Sequence, residues 1–477
     1  MMQLFIKKYN KLLLCTLFIL PGIVKAQHVK TNENQTAVFY TDVPAHPYNI
    51  ILGRPTQNSV TISIMANENL RGYIQYGTQA NNFINTTAPL NYIKGQINNI
   101  LLDHLKINKK YFYRFICQLS DSGNQMNTAI NCFHTPRLKN DDFTFTIQAD
   151  SHLDENAGTA MYTKSLTNMA SDSADFLIDL GDTWMTDKYQ PDYKASLQQY
   201  IAQRYYFSKV CQSAFLFSVL GNHDGEFGQQ IKKRNPDNMT AWATATRKQY
   251  YINPFPNEFY SGNTAQETGT ETPENYYAYE WGNALFIVLD PFRYTAGNKD
   301  PWQRTLGAAQ YQWLQHTLEK STASFKFVFI HNLVGGVDLK GKARGGMEAA
   351  QYFEWGGKDT SGAFVFSNKR SGWELPVHDL LVKHKVNIVF HGHDHFFAKQ
   401  EKDGLIYQLV PQPGALHYGN INSAAEYGYS NGKIINVPGY MRIRVEKEKA
   451  TVELIQNSID SKHKNKEILY SYTIYSK

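Results

Sequence analysis

Five short clusters of potential metal ligands recur along this chain, each closing an apolar, strand-like run. Asp150-Ser151-His152 follows residues 143–149, Gly181-Asp182 follows 176–180, and Gly221-Asn222-His223-Asp224 follows 214–220. A lone His331 follows 325–330, and Gly392-His393-Asp394-His395 follows 387–390. Between these runs the spacing predicts helices near 158–173, 193–209, 310–320 and 377–384. Strands alternating with helices predict an α/β arrangement whose strand ends line one edge of a sheet, where such folds gather their sites. Taken singly, each cluster is weak, because a lone His at a strand end is ordinarily a hydrogen-bonded structural residue. Together they supply carboxylate oxygen, carboxamide oxygen and imidazole nitrogen, the mixture that holds two divalent cations close enough to share a ligand.

The start of the chain reads as a segment to be removed. Lys7, Lys8 and Lys11 precede an apolar run over 12–20, then Pro21-Gly22 and the small-residue exit Val24-Lys25-Ala26. This predicts a signal peptide over 1–26, cleavage near Ala26, and a secreted or periplasmic protein. The run is too short for a membrane span, and no later stretch approaches the required length. Cys15 lies inside it, which speaks against a lipoprotein anchor. The segment carries four lysines (Lys7, Lys8, Lys11, Lys25) and no acid, so its removal lowers the formal charge from +6 to +2. No basic stripe of the kind that binds nucleic acid remains. Of the remaining cysteines, Cys117 and Cys132 lie on expected neighbouring strands where an exported protein permits a disulfide; burial of all three, Cys211 included, as small apolar residues is the alternative.

Residues 27–138 carry short β-type runs separated by turn signals, with no helical period, and predict a small all-β sandwich. The Leu105 to Tyr111-Phe112-Tyr113-Arg114 stretch resembles the end of a fibronectin type III module. The catalytic domain is expected over 139–477, its last strands completing the second sheet. Two polar or glycine-rich insertions, 225–275 and 335–372, are expected to be solvated loops for most of their length, with some residues at the rim of the site.

The ordered set Asp-x-His, Gly-Asp, Gly-Asn-His-Asp, His, Gly-His-x-His, spanning roughly 143–397, resembles the calcineurin-like metallophosphoesterases. That resemblance implies an α/β four-layer sandwich of two mixed sheets flanked by helices. It implies that Asp150, His152 and His395 hold one divalent metal, that Asn222, His331 and His393 hold a second, and that Asp182 bridges them. His223 would stabilise the transition state or protonate the leaving group, and Asp224 would orient His223. Arg344 is a candidate phosphate contact, although an ordinary surface arginine is the plainer reading. His391 and His417 are candidates only for supporting the ligands, and Asp394 is expected to point elsewhere.

The β-module ahead of this domain is similar in arrangement to the purple acid phosphatases. Those enzymes lack the histidine of the first block and carry an iron-binding Tyr after Gly-Asp, whereas here His152 is present and Gly181-Asp182 runs into Thr183-Trp184-Met185. Mn²⁺, Zn²⁺ or Fe²⁺ is therefore the expected cofactor, and a small-molecule phosphomonoester or phosphodiester the expected substrate. Two alternatives remain open: a nucleotide or cyclic-nucleotide phosphodiesterase using the same site, and a glycan- or protein-binding protein whose site is vestigial.

Overall fold

The computed structural model describes residues 37–120, 126, 129–155, 157–231, 238–267, 269–297, 299–336, 343–418 and 423–477. The expected signal peptide lies outside them. Among the described residues no helix is long and apolar enough to cross a membrane.

Two mixed sheets face each other. The nine-stranded sheet is centred on the parallel strands Phe143–Gln148, Phe176–Asp179 and Phe215–Ser218. The eight-stranded sheet is centred on the parallel strands Ala284–Val288, Phe325–Phe329 and Ile388–His391. Phenylalanines of these strands fill the space between the sheets: Phe145 lies edge-on to Phe286 with centroids 5.2 Å apart, and Phe329 stacks on Phe390 at 5.3 Å. Each such pair adds about 0.5–1.5 kcal/mol beyond the area it buries.

Helices Thr159–Ser171 and Leu197–Cys211 cover the outer face of the first sheet through Leu166, Met169, Phe207 and Val210. Ala308–Lys320 and Val377–Lys383 cover the second through Leu314, Leu318, Leu380 and Leu381. The result is the expected helix-sheet-sheet-helix order.

The all-β region ahead of residue 138 meets the nine-stranded sheet edge to edge. Strand Tyr48–Gly53 pairs in parallel with Phe215–Ser218 through Leu52 and Phe215, and Val60–Ala66 and Ile97–Leu102 extend the sheet outward. A separate five-stranded sheet is built around Leu70–Gly77 and Lys110–Leu119. The buried Arg204 of helix Leu197–Cys211 ties the regions together, donating from Nε to Asn49 Oδ1 at 2.9 Å and from Nη2 to the Ser63 carbonyl at 3.2 Å.

Several expectations are corrected. The last strands do not all complete the second sheet: Gly439–Val445, Lys449–Gln456 and Glu467–Tyr475 join the nine-stranded sheet, the first of them antiparallel to Phe143–Gln148. The insertions are not mainly solvated loops. Residues 225–275 contain helix Met239–Tyr250, whose buried Arg247 donates to both oxygens of the buried Glu226 at 2.5 and 3.1 Å. In the second insertion Trp355 and Glu354 are fully buried, and Glu354 accepts from the Leu306 amide at 2.7 Å. Of the two readings of the cysteines, the disulfide is ruled out: Cys117, Cys132 and Cys211 are free, with the register setting Cys132 opposite Phe112 and Cys117 opposite Gly72, and Cys117 and Cys211 are buried while Cys132 is half-buried.

Candidate metal centre

All five clusters arrive at the same end of the two sheets, because the strands that deliver them run parallel within each sheet. Each chain must then turn sharply. Asp150, His152, Asp182, His393 and His395 all have positive φ, between 38° and 75°. A non-glycine residue held there costs about 1–3 kcal/mol and persists only where the surroundings enforce it. The turns also need close backbone approach: a Cβ on Gly181 (φ 93°) would lie 2.4 Å from the Gly221 nitrogen, and one on Gly221 would lie 2.1 Å from the Asp182 nitrogen. Glycine at both positions lets the second and third clusters touch.

The ligand atoms converge as two groups, Asp150 with His152 and His395, and Asp182 with His331 and His393, each with its donor atoms within 4.8 Å of one another. Cross contacts join the groups. His152 Nε2 lies 3.6 Å from Asp150 Oδ1 and 3.5 Å from Asp182 Oδ2; His331 Nε2 lies 3.3 Å from Asp182 Oδ2 and 3.9 Å from Asp150 Oδ1. His395 Nε2 sits 3.4 Å from Asp150 Oδ1, and Asn222 Oδ1 is 3.1 Å from His331 Nε2. All seven residues named from the sequence are therefore brought together, with Asp182 between the groups.

The electrostatics suit cations. Burial would lower the imidazole pKa values, but the carboxylates of Asp150 and Asp182 outweigh it and raise His152 to about 9 and His331 to about 10. Burial alone would raise the two acids, yet the surrounding imidazoles hold Asp150 and Asp182 below the usual carboxylate range. The field that attracts protons to these nitrogens attracts metal ions to the same atoms. The buried Asp150 Oδ1, His152 Nδ1 and His152 Nε2 have no hydrogen-bond partner. Burying such atoms unpartnered is costly, and coordination by Asp150 Oδ1 and one His152 nitrogen relieves part of that cost, so the donor set fits divalent metal.

His223 is positioned by a residue that sequence reasoning missed. Its Nδ1 lies 2.9 and 3.0 Å from the carboxylate oxygens of Asp187, on the short helical turn Thr186–Tyr189. Burial would lower the His223 pKa, but Asp182 and the hydrogen bond to Asp187 leave it raised. The expected role of Asp224 is corrected. Its carboxylate accepts from the backbone amides of Gly221 (2.8 Å), Asp182 (3.1 Å), Thr183 (2.9 Å) and Trp184 (2.8 Å), so it staples two ligand loops rather than orienting His223.

Arg344 donates to the His393 carbonyl at 3.0 Å and to Asp394 Oδ1 at 2.9 Å, and lies 4.2 Å over the Tyr427 ring. It braces the last ligand cluster. Asp394 does point elsewhere, accepting from Tyr429 and the Gly345 amide. His391 is buried, which pushes its pKa down to about 3, and His417 is exposed. A groove of about 580 Å³ beside Tyr260 and Trp313 contains none of these residues, so convergence of ligands and not cavity size locates the chemistry.

The sequence profile of the calcineurin-like phosphoesterases matches residues 143–397, more than half of the chain, and the chain belongs to that family. No curated protein matches it in sequence. Among solved structures, PhoD superposes with a TM-score of 0.63 at 13% identity, covering 92% of each chain. A purple acid phosphatase isolated from yellow lupin (Lupinus luteus) seeds superposes with a TM-score of 0.59 at 12% identity, covering 89% of this chain and 74% of its own. At such identity these likenesses establish the fold. Family and ligand set together define a metal-dependent hydrolase of phosphoric ester bonds.

Proposed function

We propose that the protein is an exported phosphoesterase that holds two divalent ions, Mn²⁺, Zn²⁺ or Fe²⁺, and hydrolyses small-molecule phosphomonoesters or phosphodiesters. The observation that carries this reading is the pair of ligand groups joined through Asp182. Asp150, His152 and His395 would hold one ion, and Asn222, His331 and His393 the other. When bound, such ions lower the pKa of a water to yield a nucleophile and neutralise phosphate charge.

The chain's own residues supply the rest. The His223 amide donates to Asp182 Oδ1 at 2.7 Å, fixing the Asn222-His223 turn against the shared carboxylate. With Nδ1 committed to Asp187, the His223 nitrogen left for the substrate is Nε2, and a raised pKa keeps it able to give a proton to the leaving alkoxide. Export is supported by the residue pattern of 1–26, and a fibronectin-like reading of the N-terminal region by its short antiparallel strands. A complete ligand set argues against a vestigial site.

Metal-replete protein is expected to hydrolyse p-nitrophenyl phosphate or bis-p-nitrophenyl phosphate, and elemental analysis is expected to return two metal equivalents. Absence of turnover on both compounds and on a panel of natural phosphoesters would remove the catalytic claim.

A further inference from the structure

The imidazoles of the centre are not secured alike. His331 Nδ1 is fixed by the Leu180 carbonyl at 2.7 Å and His223 Nδ1 by Asp187, but neither ring nitrogen of His152 has a hydrogen-bond partner. A metal-binding histidine is ordinarily oriented through its second nitrogen. With no such hydrogen bond, the His152 ring is placed by packing edge-on against His395, centroids 4.7 Å apart, and by its backbone, held at φ 38° in the turn where the Glu155 amide donates to the His152 carbonyl at 3.0 Å.

That turn is latched from outside the catalytic strands. Asp154 Oδ2 accepts from the Tyr40 amide at 2.7 Å, Asp154 Oδ1 accepts from the Thr41 hydroxyl, and the Asp154 carbonyl accepts from the Tyr40 hydroxyl. Tyr40 is 72% exposed, so these hydrogen bonds and not packing explain its place. The segment around it is anchored separately: Phe39 and Val43 pack on the cluster that contains Leu153, and the Asp42 carbonyl accepts from Tyr206 at 3.4 Å. One residue beyond Asp154, Glu155 pairs with Lys188 at 3.4 Å, beside the Asp187 that holds His223.

We propose that residues 39–43 form a strap whose Tyr40 and Thr41, acting through Asp154, are positioning residues for the metal ligand His152. The inference rests on the dinuclear reading above. The strap sets how firmly the first ligand group keeps its ion and leaves the group of Asp182, His331 and His393 untouched.

The test uses full-length protein loaded with Mn²⁺ and challenged with EDTA, with remaining metal measured over time. Thr41→Val keeps the side-chain shape and removes the hydroxyl, Thr41→Ser restores it, and Asp154→Ala removes the acceptor. Thr41→Val and Asp154→Ala are expected to lose one of the two equivalents about tenfold faster than the parent, with the other equivalent unchanged. Thr41→Ser is expected to match the parent, and the melting temperature of metal-free Thr41→Val to be unaltered. Parental loss rates in both Thr41→Val and Asp154→Ala would overturn the proposal. So would simultaneous loss of both ions with a lowered metal-free melting temperature, which marks general destabilisation. A parent protein that binds no Mn²⁺ would remove the functional reading itself, and is thereby distinguished from a failed strap.

Discussion

The ligand group of Asp182, His331 and His393 is buried throughout, whereas that of Asp150, His152 and His395 opens to solvent through His395, whose side chain is 31% exposed. The buried group is tied to the strands themselves: His331 Nδ1 rests on the carbonyl of Leu180, one residue past strand Phe176–Asp179. The open group includes the turn after Asp150, where Asp154 accepts hydrogen bonds from Tyr40 and Thr41, which lie outside the catalytic strands. Two sites of similar donor chemistry thus differ in rigidity and access. On the proposed two-ion reading, the ion of the open group would be the one better placed to meet a substrate and the easier one to lose.

The shared element of the two groups is Asp182, and its removal is expected to have the largest effect. Asp182→Asn keeps the shape but removes the charge that His152 and His331 both face. Both metal equivalents should fall, and kcat/KM should drop about a thousandfold, or roughly 4 kcal/mol of barrier. Elemental analysis and phosphoester kinetics on the same sample check this. Retention of both ions would mean that the groups are independent and that the comparison has no common hinge.

The candidate ligands are legible in the sequence because each places its donor just past an apolar run, a pattern that survives without coordinates. Asp187 is not, since it meets His223 only after the chain turns through Met185 at φ 51°. Asp224 was misread because adjacency along the chain says nothing of side-chain direction, and its oxygens face four backbone amides. The polar composition of 225–275 concealed a helix because the charge of Arg247 is buried against Glu226 and not solvated. The parallel pairing of Leu52 with Phe215 joins distant segments, and no local period marks it.

The roles of Asp187 and Asp224 separate by pH. If His223 acts as an acid, activity is lost as pH rises through its pKa, which Asp187 helps to hold above the usual value. Asp187→Asn removes that support, so the basic limb of the kcat profile should move to lower pH, with kcat down about tenfold to a hundredfold. Asp224→Asn should leave the limb in place and instead lower stability by about 1–3 kcal/mol for a buried amide left unpaired, read from the melting temperature. A shifted limb in the Asp224 variant would reinstate it as the partner of His223.

The smallest expected effect tests the difference in access most directly. In the parent protein, EDTA should remove the two equivalents in separate phases, the faster by about tenfold, since a ligand without an orienting partner releases metal more readily. The fast phase belongs to the open group if His395→Ala abolishes it while preserving the slow one, because His395 contacts Asp150 and not the buried triad's carboxylate. His331→Ala should do the reverse, as its imidazole is the one pinned to the Leu180 carbonyl. A single phase in the parent would show that burial and pinning do not govern release. Loss of the slow phase in His395→Ala would place the labile ion in the buried group and invert the comparison.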